Sequence, residues 1–266
     1  SEIRNSIEKI RSLIKDTDPG DTLPFGLLTE GGVGIQFPRN RDYIAVLEGT
    51  EKESRIEKNG YYSRSKLDTT VSPDNVIADA SVLSESERLN GVSKNREKKW
   101  VKVTRQAKSR DVFYCPTDEF TKWSKDVVRE LKENAKWQNS EYYLRSGIAT
   151  KRGGGVRNSE WYMIEPSVFT SSHQVFIPID QDKIPEKYLL GIMNSSLAEY
   201  IMNNFLNRIG QSIRDVRRIP IKIPSNYERN EIIELVEDAI EIQQSRKDVL
   251  DSPDMEKIRQ IQAELD

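Results

Sequence analysis

"PEKYLLGIMNSSLAEYIMNNFLNR", residues 185–208, is the stretch on which the fold turns. Leu189, Ile192 or Met193, Leu197, Tyr200, Ile201 and Phe205 recur at helical intervals, which places them on one face. Pro185 suits the start of such a helix, where its missing N–H leaves no bond unmade. The spacing predicts one long amphipathic helix with this stripe turned to a core.

The chain on either side follows other periods. From Leu23 to about Ile179, "DYIAVL", "NVIADA", "KWVKVT", "DVFYC", "YYLRSGIAT", "WYMIE" and "HQVFIPI" read as short strands between turns. One helix interrupts them, "WSKDVVRELKENAKW", with Val127, Leu131 and Ala135 as its stripe. Before them, Ile3, Ile7, Ile10 and Ile14 mark a helix that "DPG" stops. After the long helix, "RIPIKIP" alternates Ile219, Ile221 and Ile223 with two prolines. Proline cannot donate to a ladder, so this is an edge strand or extended segment. Two charged helices follow, from about Glu228 to Arg246 and over "MEKIRQIQAELD". The fold class is therefore α+β: a mixed, β-rich domain with a long amphipathic helix and a C-terminal helical segment. The divisions fall at 1–20, 21–225 and 226–266.

Composition narrows the chemistry. The chain has 266 residues, enough for one large or two modest domains. No apolar run approaches the roughly 20 residues of a membrane helix, and "SEIRNSIEKI" has no signal-peptide core. A single cysteine excludes an internal disulfide, and one Cys with one His cannot supply a four-ligand structural zinc site. The absence of an internal disulfide fits a reducing cytoplasm. Cys115 and His173 are the one thiol–imidazole pair, but Cys115 lies in "DVFYCP" and reads as a small core residue.

The formal charge of −2 hides a strong asymmetry. Residues 94–110 carry eight Lys/Arg against one Glu. Residues 145–157 hold Arg145, Lys151, Arg152 and Arg157 with no acid. Residues 208–222 hold Arg208, Arg214, Arg217, Arg218 and Lys222 against Asp215, whereas from Asn226 onward twelve acids face five bases. A basic middle is the electrostatic footprint of phosphate binding, although a solvated charged face has the same composition.

Three chemical readings meet the motifs. In "KRGGGVRNSEW", residues 151–161, Lys151 precedes the glycines, no Lys-Ser/Thr follows, and the next segment is a strand. Both a P-loop and a dinucleotide fingerprint need a helix there. What remains is a turn, either a plain connector or one whose bare backbone approaches a phosphate chain. Asp74 with Glu97 and Lys99 has the outline of a metal-dependent nuclease, but Asp74 sits in "SPDN", where turn chemistry already explains it. The Asn/Asp-Pro-Pro-Tyr/Phe motif of amino-methyltransferases is absent, and no stretch supplies a transferable catalytic centre.

The most specific pattern is C-terminal. "KYLLGIMNSSLAEYIMNNF", "GQSIRDVRRIPIKIPS" and "NEIIELVEDAIEIQQ" together resemble the end of a known domain. It is the TaqI-like C-terminal specificity domain of adenine-specific DNA methyltransferases, of the type IIG restriction-modification or BREX-type phage-resistance kind. That family shows a Leu-Leu-Gly-x-x-Asn-Ser helix, a polar segment, a Leu-Pro-Ile-Pro-like strand and an Ile/Leu-rich helix. Leu189–Ser195, Gln211–Arg218, Ile219–Pro224 and Ile232–Ile242 match these parts. Upstream, "YYLRSGIATKR" resembles the family's Gly-Ile-Thr strand at Gly147 and Ile148 and departs at Ala149. "GGVGIQFPRNRDYIAVL" resembles its opening Gly-rich turn at Gly34, Asn40 and Arg41, with Phe37-Pro38 where the family often has Thr-Gly. The resemblance covers most of the chain and is specific from about Leu189 to Ile242.

The resemblance implies that residues 1–20 trail from a catalytic domain, that 21–225 form the target recognition domain, and that the helical segment 226–266 is cut short. It implies sequence-specific binding of double-stranded DNA beside an N-terminal methyltransferase domain of the same polypeptide. That domain would flip the adenine and methylate N6 with S-adenosylmethionine, leaving no catalytic residue, cofactor or metal in this chain. Recognition needs cations on phosphates and side chains on base edges. The phosphate candidates are Lys98, Lys99, Lys102, Lys108, Arg217 and Arg218. The base-reading candidates are Arg39, Asn40, Arg41, Arg152, Arg157, Asn158, Gln211 and Arg214. Arg105 and Arg110 suit either role, and Lys151 flanks the glycines in the same set. Two alternatives stay open. One is a metal-dependent nuclease. The other is a protein-interaction module, or the specificity subunit of a multisubunit type I restriction system. Such a subunit normally carries two recognition halves and two coiled-coil spacers, of which one each is visible here.

Overall fold

The computed structural model describes residues 2–63, 65–105, 112–151, 160–205, 212–245 and 253–265. The chain begins α1 (Glu2–Asp16), β1 (Thr22–Pro24), α2 (Phe25–Leu28), β2 (Thr29–Val33), α3 (Asn40–Tyr43), β3 (Ile44–Leu47), α4 (Glu51–Asn59) and β4 (Thr70–Val71). It continues α5 (Glu85–Asn90), β5 (Trp100–Thr104), β6 (Phe113–Tyr114), β7 (Glu119–Lys122), α6 (Lys125–Asn134), β8 (Arg145–Lys151), β9 (Trp161–Phe169) and β10 (His173–Pro178). The last third is α7 (Glu186–Met193), α8 (Ser196–Phe205), α9 (Ile213–Val216), β11 (Pro220–Lys222), α10 (Asn226–Ser245) and α11 (Pro253–Glu264). This is a mixed α+β fold.

One sheet organises it, in the order β2-β10-β8-β9-β5-β7-β3-β4, with β6 also paired to β9. The neighbours are antiparallel except β5 and β6 against β9 and β4 against β3, which are parallel. The first four strands curl back on themselves. Just past β2, the Ile35 N–H donates to the Phe169 carbonyl at 3.0 Å, and Ser171 N–H donates to the Ile35 carbonyl at 2.7 Å. Gly34 permits that closure: a Cβ there would lie 1.8 Å from the Phe169 carbonyl oxygen, a backbone atom that cannot step aside. The glycine-rich stretch expected as a turn is thus a strand and its continuation.

Alternation along the central strands feeds two cores. Ala149, Tyr162, Ile164, Val175 and Ile177 face one core, with Trp123, Tyr143 and Phe169. Ile148, Trp161 and Phe176 face the other, with Ile14, Leu189, Val236 and Ile258 from the helices. The rings of Phe25, Trp161 and Phe176 meet there at centroid distances of 4.9–5.8 Å. "RIPIKIP" forms β11, which pairs only with β1 in a two-stranded sheet. Its three isoleucines are buried while Pro220 and Lys222 are exposed, as an edge strand requires.

The long helix read from residues 185–208 is two helices, and Asn194 is the reason. Its Oδ1 accepts from the Trp161 N–H at 3.1 Å and its Nδ2 donates to the Trp161 carbonyl at 3.0 Å. Ser195 then caps α8, its Oγ accepting from the Ala198 N–H at 3.3 Å. Across the break the face rotates. Ala198 and Met202 are buried, whereas Leu197, Tyr200 and Phe205 are 66%, 58% and 71% exposed. Pro185 precedes the first turn of α7 rather than occupying it. Asn194→Ala is expected to cost about 2 kcal/mol, two net hydrogen bonds at a buried strand end. A urea midpoint equal to wild type would show that the break does not depend on this amide.

Three other expectations change. "NVIADA" is not a strand: a turn at Pro73–Asn75, a single bridge at Val76 and a turn at Ala80–Val82 take its place. α4 and α5 are helices within the stretch read as strands. In α6 the buried residues are Val128 and Leu131, with Val127 and Ala135 only partly covered.

Candidate nucleic-acid interface

Pairing and hydrogen bonds join three separated segments in one chain of contacts. The Asn40 Nδ2 donates to Ser65 Oγ at 3.1 Å, and Arg105 Nη1 donates to the same oxygen at 3.0 Å. The Arg105 carbonyl, at the end of β5, accepts from Ser172 Oγ at 2.9 Å. Ser172 also bonds His173 Nδ1 at 3.0 Å, and His173 pairs with Lys151 at the end of β8. Asn40, Arg105 and Lys151 are therefore links in one chain of contacts. Arg105 and Lys151 are the last described residues before 106–111 and 152–159. Those segments carry Lys108 and Arg110, and Arg152, Arg157 and Asn158, all outside the described residues. Arg39 and Arg41 flank Asn40 with side chains 65% and 46% exposed, both beside Asp42 at 2.7 and 3.6 Å.

Arg105 itself is removed from the surface. It is 7% exposed and its guanidinium is occupied on three sides. Nε and Nη2 donate to the two Glu119 oxygens at 2.7 and 3.0 Å, and Nη2 reaches Ser63 Oγ at 3.4 Å. Lys52 Nζ lies 3.1 Å from Glu119 on its other side and also pairs with Asp118. Burial alone would raise the Glu119 carboxyl, but Lys52 and Arg105 outweigh it and hold it below the usual range. Burial would lower Lys52, and Glu119 with Asp118 raise it instead. Arg105, a DNA-contact candidate in the basic run, has its guanidinium turned to this interior ion pair instead.

His173 lies in the same region, 1% exposed. Burial, with Lys151 and Arg105 adding, pushes its imidazole down to about 3, so the ring is neutral. The Ser172 proton is committed to the Arg105 carbonyl, so Nδ1–H donates to Ser172 and Nε2 keeps the lone pair. Cys115 is buried in the core, as its setting suggested.

The remaining candidates are scattered. Lys98 is exposed and the Lys99 Nζ donates to the Lys94 carbonyl at 2.8 Å, both before β5 and about 20 Å along the strand from Arg105. Lys102 is half-buried against Glu165, which also accepts from Tyr114 Oη at 3.0 Å. Lys151 Nζ sits 3.3 Å from Glu160. Arg214 and Arg218 are exposed, and Arg217 Nη2 donates to the Gly31 carbonyl at 3.0 Å. Gln211 lies outside the described residues. Asp74 and Glu97 are both exposed, and no group of three metal-ligating side chains forms among the described residues. No helix among the described residues is long and apolar enough to cross a membrane.

Sequence reasoning missed Lys52, Ser63, Ser65 and Glu119. Ser63 has a φ of +65°, a value rare outside glycine, but nothing in "YYSRSK" announces it.

No family model matches the chain, and no curated protein matches it. Among solved structures, 98% of the chain aligns with the HsdS subunit from Thermoanaerobacter tengcongensis, at 13% identity and a TM-score of 0.39, over 52% of that chain. A second structure, described as the basis of complex assembly and conformational transition of the type I R-M system, aligns with 99% of the chain at 10% identity and a TM-score of 0.41, over 53% of its length. The chain spans about half the length of each of these structures.

Proposed function

We propose that this chain selects a double-stranded DNA sequence for a restriction-modification system, in the setting of a type I specificity subunit. The observation that carries the reading is the chain of contacts that links Asn40, Arg105 and Lys151. Arg39 and Arg41 flank Asn40, and the sequence that follows Arg105 and Lys151 carries Lys108, Arg110, Arg152, Arg157 and Asn158, cations for phosphates with amides and guanidiniums for base edges. The acidic helices α10 and α11 belong to the second core instead. In this reading the chain binds and breaks no bond, and its partners supply the chemistry.

The Leu189–Ser195 match favours a second reading, in which the same unit is fused to an N6-adenine methyltransferase using S-adenosylmethionine held outside this chain. A methyltransferase motif upstream in the same reading frame separates the two. Methylome sequencing with and without the parent gene yields the target.

The direct test is a binding titration across salt concentrations. Removing Arg39, Arg41, Arg152 and Arg157 together by alanine substitution should weaken duplex binding. The slope of log K against log salt should fall by roughly 0.9 for each phosphate that the variant no longer neutralises. An unchanged slope would take these loops out of the interface.

A further inference from the structure

Resting on the DNA-reading proposal, we infer that Asn40 is an adenine reader held ready by an interior chain of hydrogen bonds, Glu119–Arg105–Ser65. Asn40 is half-buried at the start of α3, on the segment between Arg39 and Arg41. Its amide carries two N–H donors and one acceptor oxygen. Ser65 Oγ takes one donor at 3.1 Å. What remains is a carbonyl oxygen and one N–H, the pair that matches adenine N6 and N7 in the major groove. Ser65 accepts two bonds at one oxygen, from Asn40 and from Arg105, which a hydroxyl with two lone pairs permits.

Arg105 cannot swing away, because its fork is closed on the buried Glu119 carboxylate. Its remaining contact to Ser63, and the Ser65 N–H donating to Ser63 Oγ at 3.3 Å, tie Ser65 to Ser63 and hold its hydroxyl in place. An exposed asparagine loses its rotamer freedom on binding, and one already oriented does not. Asn40 is thus the specificity residue, while Ser65 and Arg105 are positioning residues that touch no base.

The experiment selects duplexes from a randomised library with wild type, Asn40→Ala and Ser65→Ala, after thermal melting shows each variant folded. Wild type should enrich a motif with adenine at a position that Asn40→Ala no longer selects, a preference reduced by about 10-fold or more. Ser65→Ala should weaken the preference at that same position by about 5-fold, the effect of one hydrogen bond, with the rest of the motif still selected. A motif unchanged in Asn40→Ala overturns the assignment while the DNA-reading proposal stands. Loss in Asn40→Ala with none in Ser65→Ala overturns the positioning chain. A wild type that selects no motif overturns the DNA-reading proposal, and the assignment with it.

Discussion

Replacing Arg105 with alanine is expected to destabilise the protein by about 3 kcal/mol, the lower end for breaking one side of a buried ion pair. The lower end applies because Glu119 keeps Lys52 at 3.1 Å after the guanidinium is gone. For a chain of this size the loss corresponds to a melting temperature lower by roughly 6–12 °C. The cost comes from the carboxylate left behind, so a second change should recover part of it. Arg105→Met with Glu119→Leu is expected to melt above Arg105→Ala, since apolar groups need no partner. Equal melting of Arg105→Ala and wild type would show that the ion pair anchors nothing. The pH dependence has a definite sign. Glu119 is held below its usual range, so its contribution is present above the unfolded carboxylate pKa and is lost as pH falls through the folded one. Lys52 is raised, so its contribution is present below the unfolded lysine pKa and is lost as pH rises through the folded one.

The second large effect belongs to His173, the chain's one histidine. Its folded pKa is about 3, below the ordinary histidine value of 6.5. Between those values the unfolded chain takes up a proton that the folded protein refuses, so stability falls as pH falls below 6.5. The loss on moving from about pH 7.5 to about pH 5 is about 2 kcal/mol from this group alone. His173→Gln removes the titration. Its stability difference between those two pH values should be smaller than that of wild type by the same amount, read from urea midpoints. Identical differences in both proteins would mean that the ring titrates normally in the folded state, and a difference of the opposite sign that it is charged there.

What was legible in the sequence was periodic. α1, α10, the strands β8 to β10 and the edge character of "RIPIKIP" each have an apolar period that burial later obeys, and α6 is a helix with its stripe shifted to Val128 and Leu131. α5 also left a signal, Ser84 with Glu87 three residues on, which closes a reciprocal capping box. α4 left little, because Ile56 is the one apolar residue in "EKESRIEKN". The break at Asn194 was illegible because it depends on a peptide of β9, 33 residues away. The candidate interface was half legible. The basic segments stand out, but the link from Arg105 to Lys151 rests on β5 lying parallel to β9 and on the contacts of Ser172 and His173. Arg105 shows the limit most clearly. In sequence it is one more cation in a basic run, and only the register of β7 brings Glu119 beneath it.

The bond between Asn194 and Trp161 also bears on where the central ladder stops. Trp161 opens β9, and its N–H and C=O point to where another strand would add. The side-chain amide meets both groups as a neighbouring peptide would, and it is one residue long. It therefore ends the ladder there instead of extending it. The residue that splits the helix thus also stands in for one further strand residue beside the start of β9.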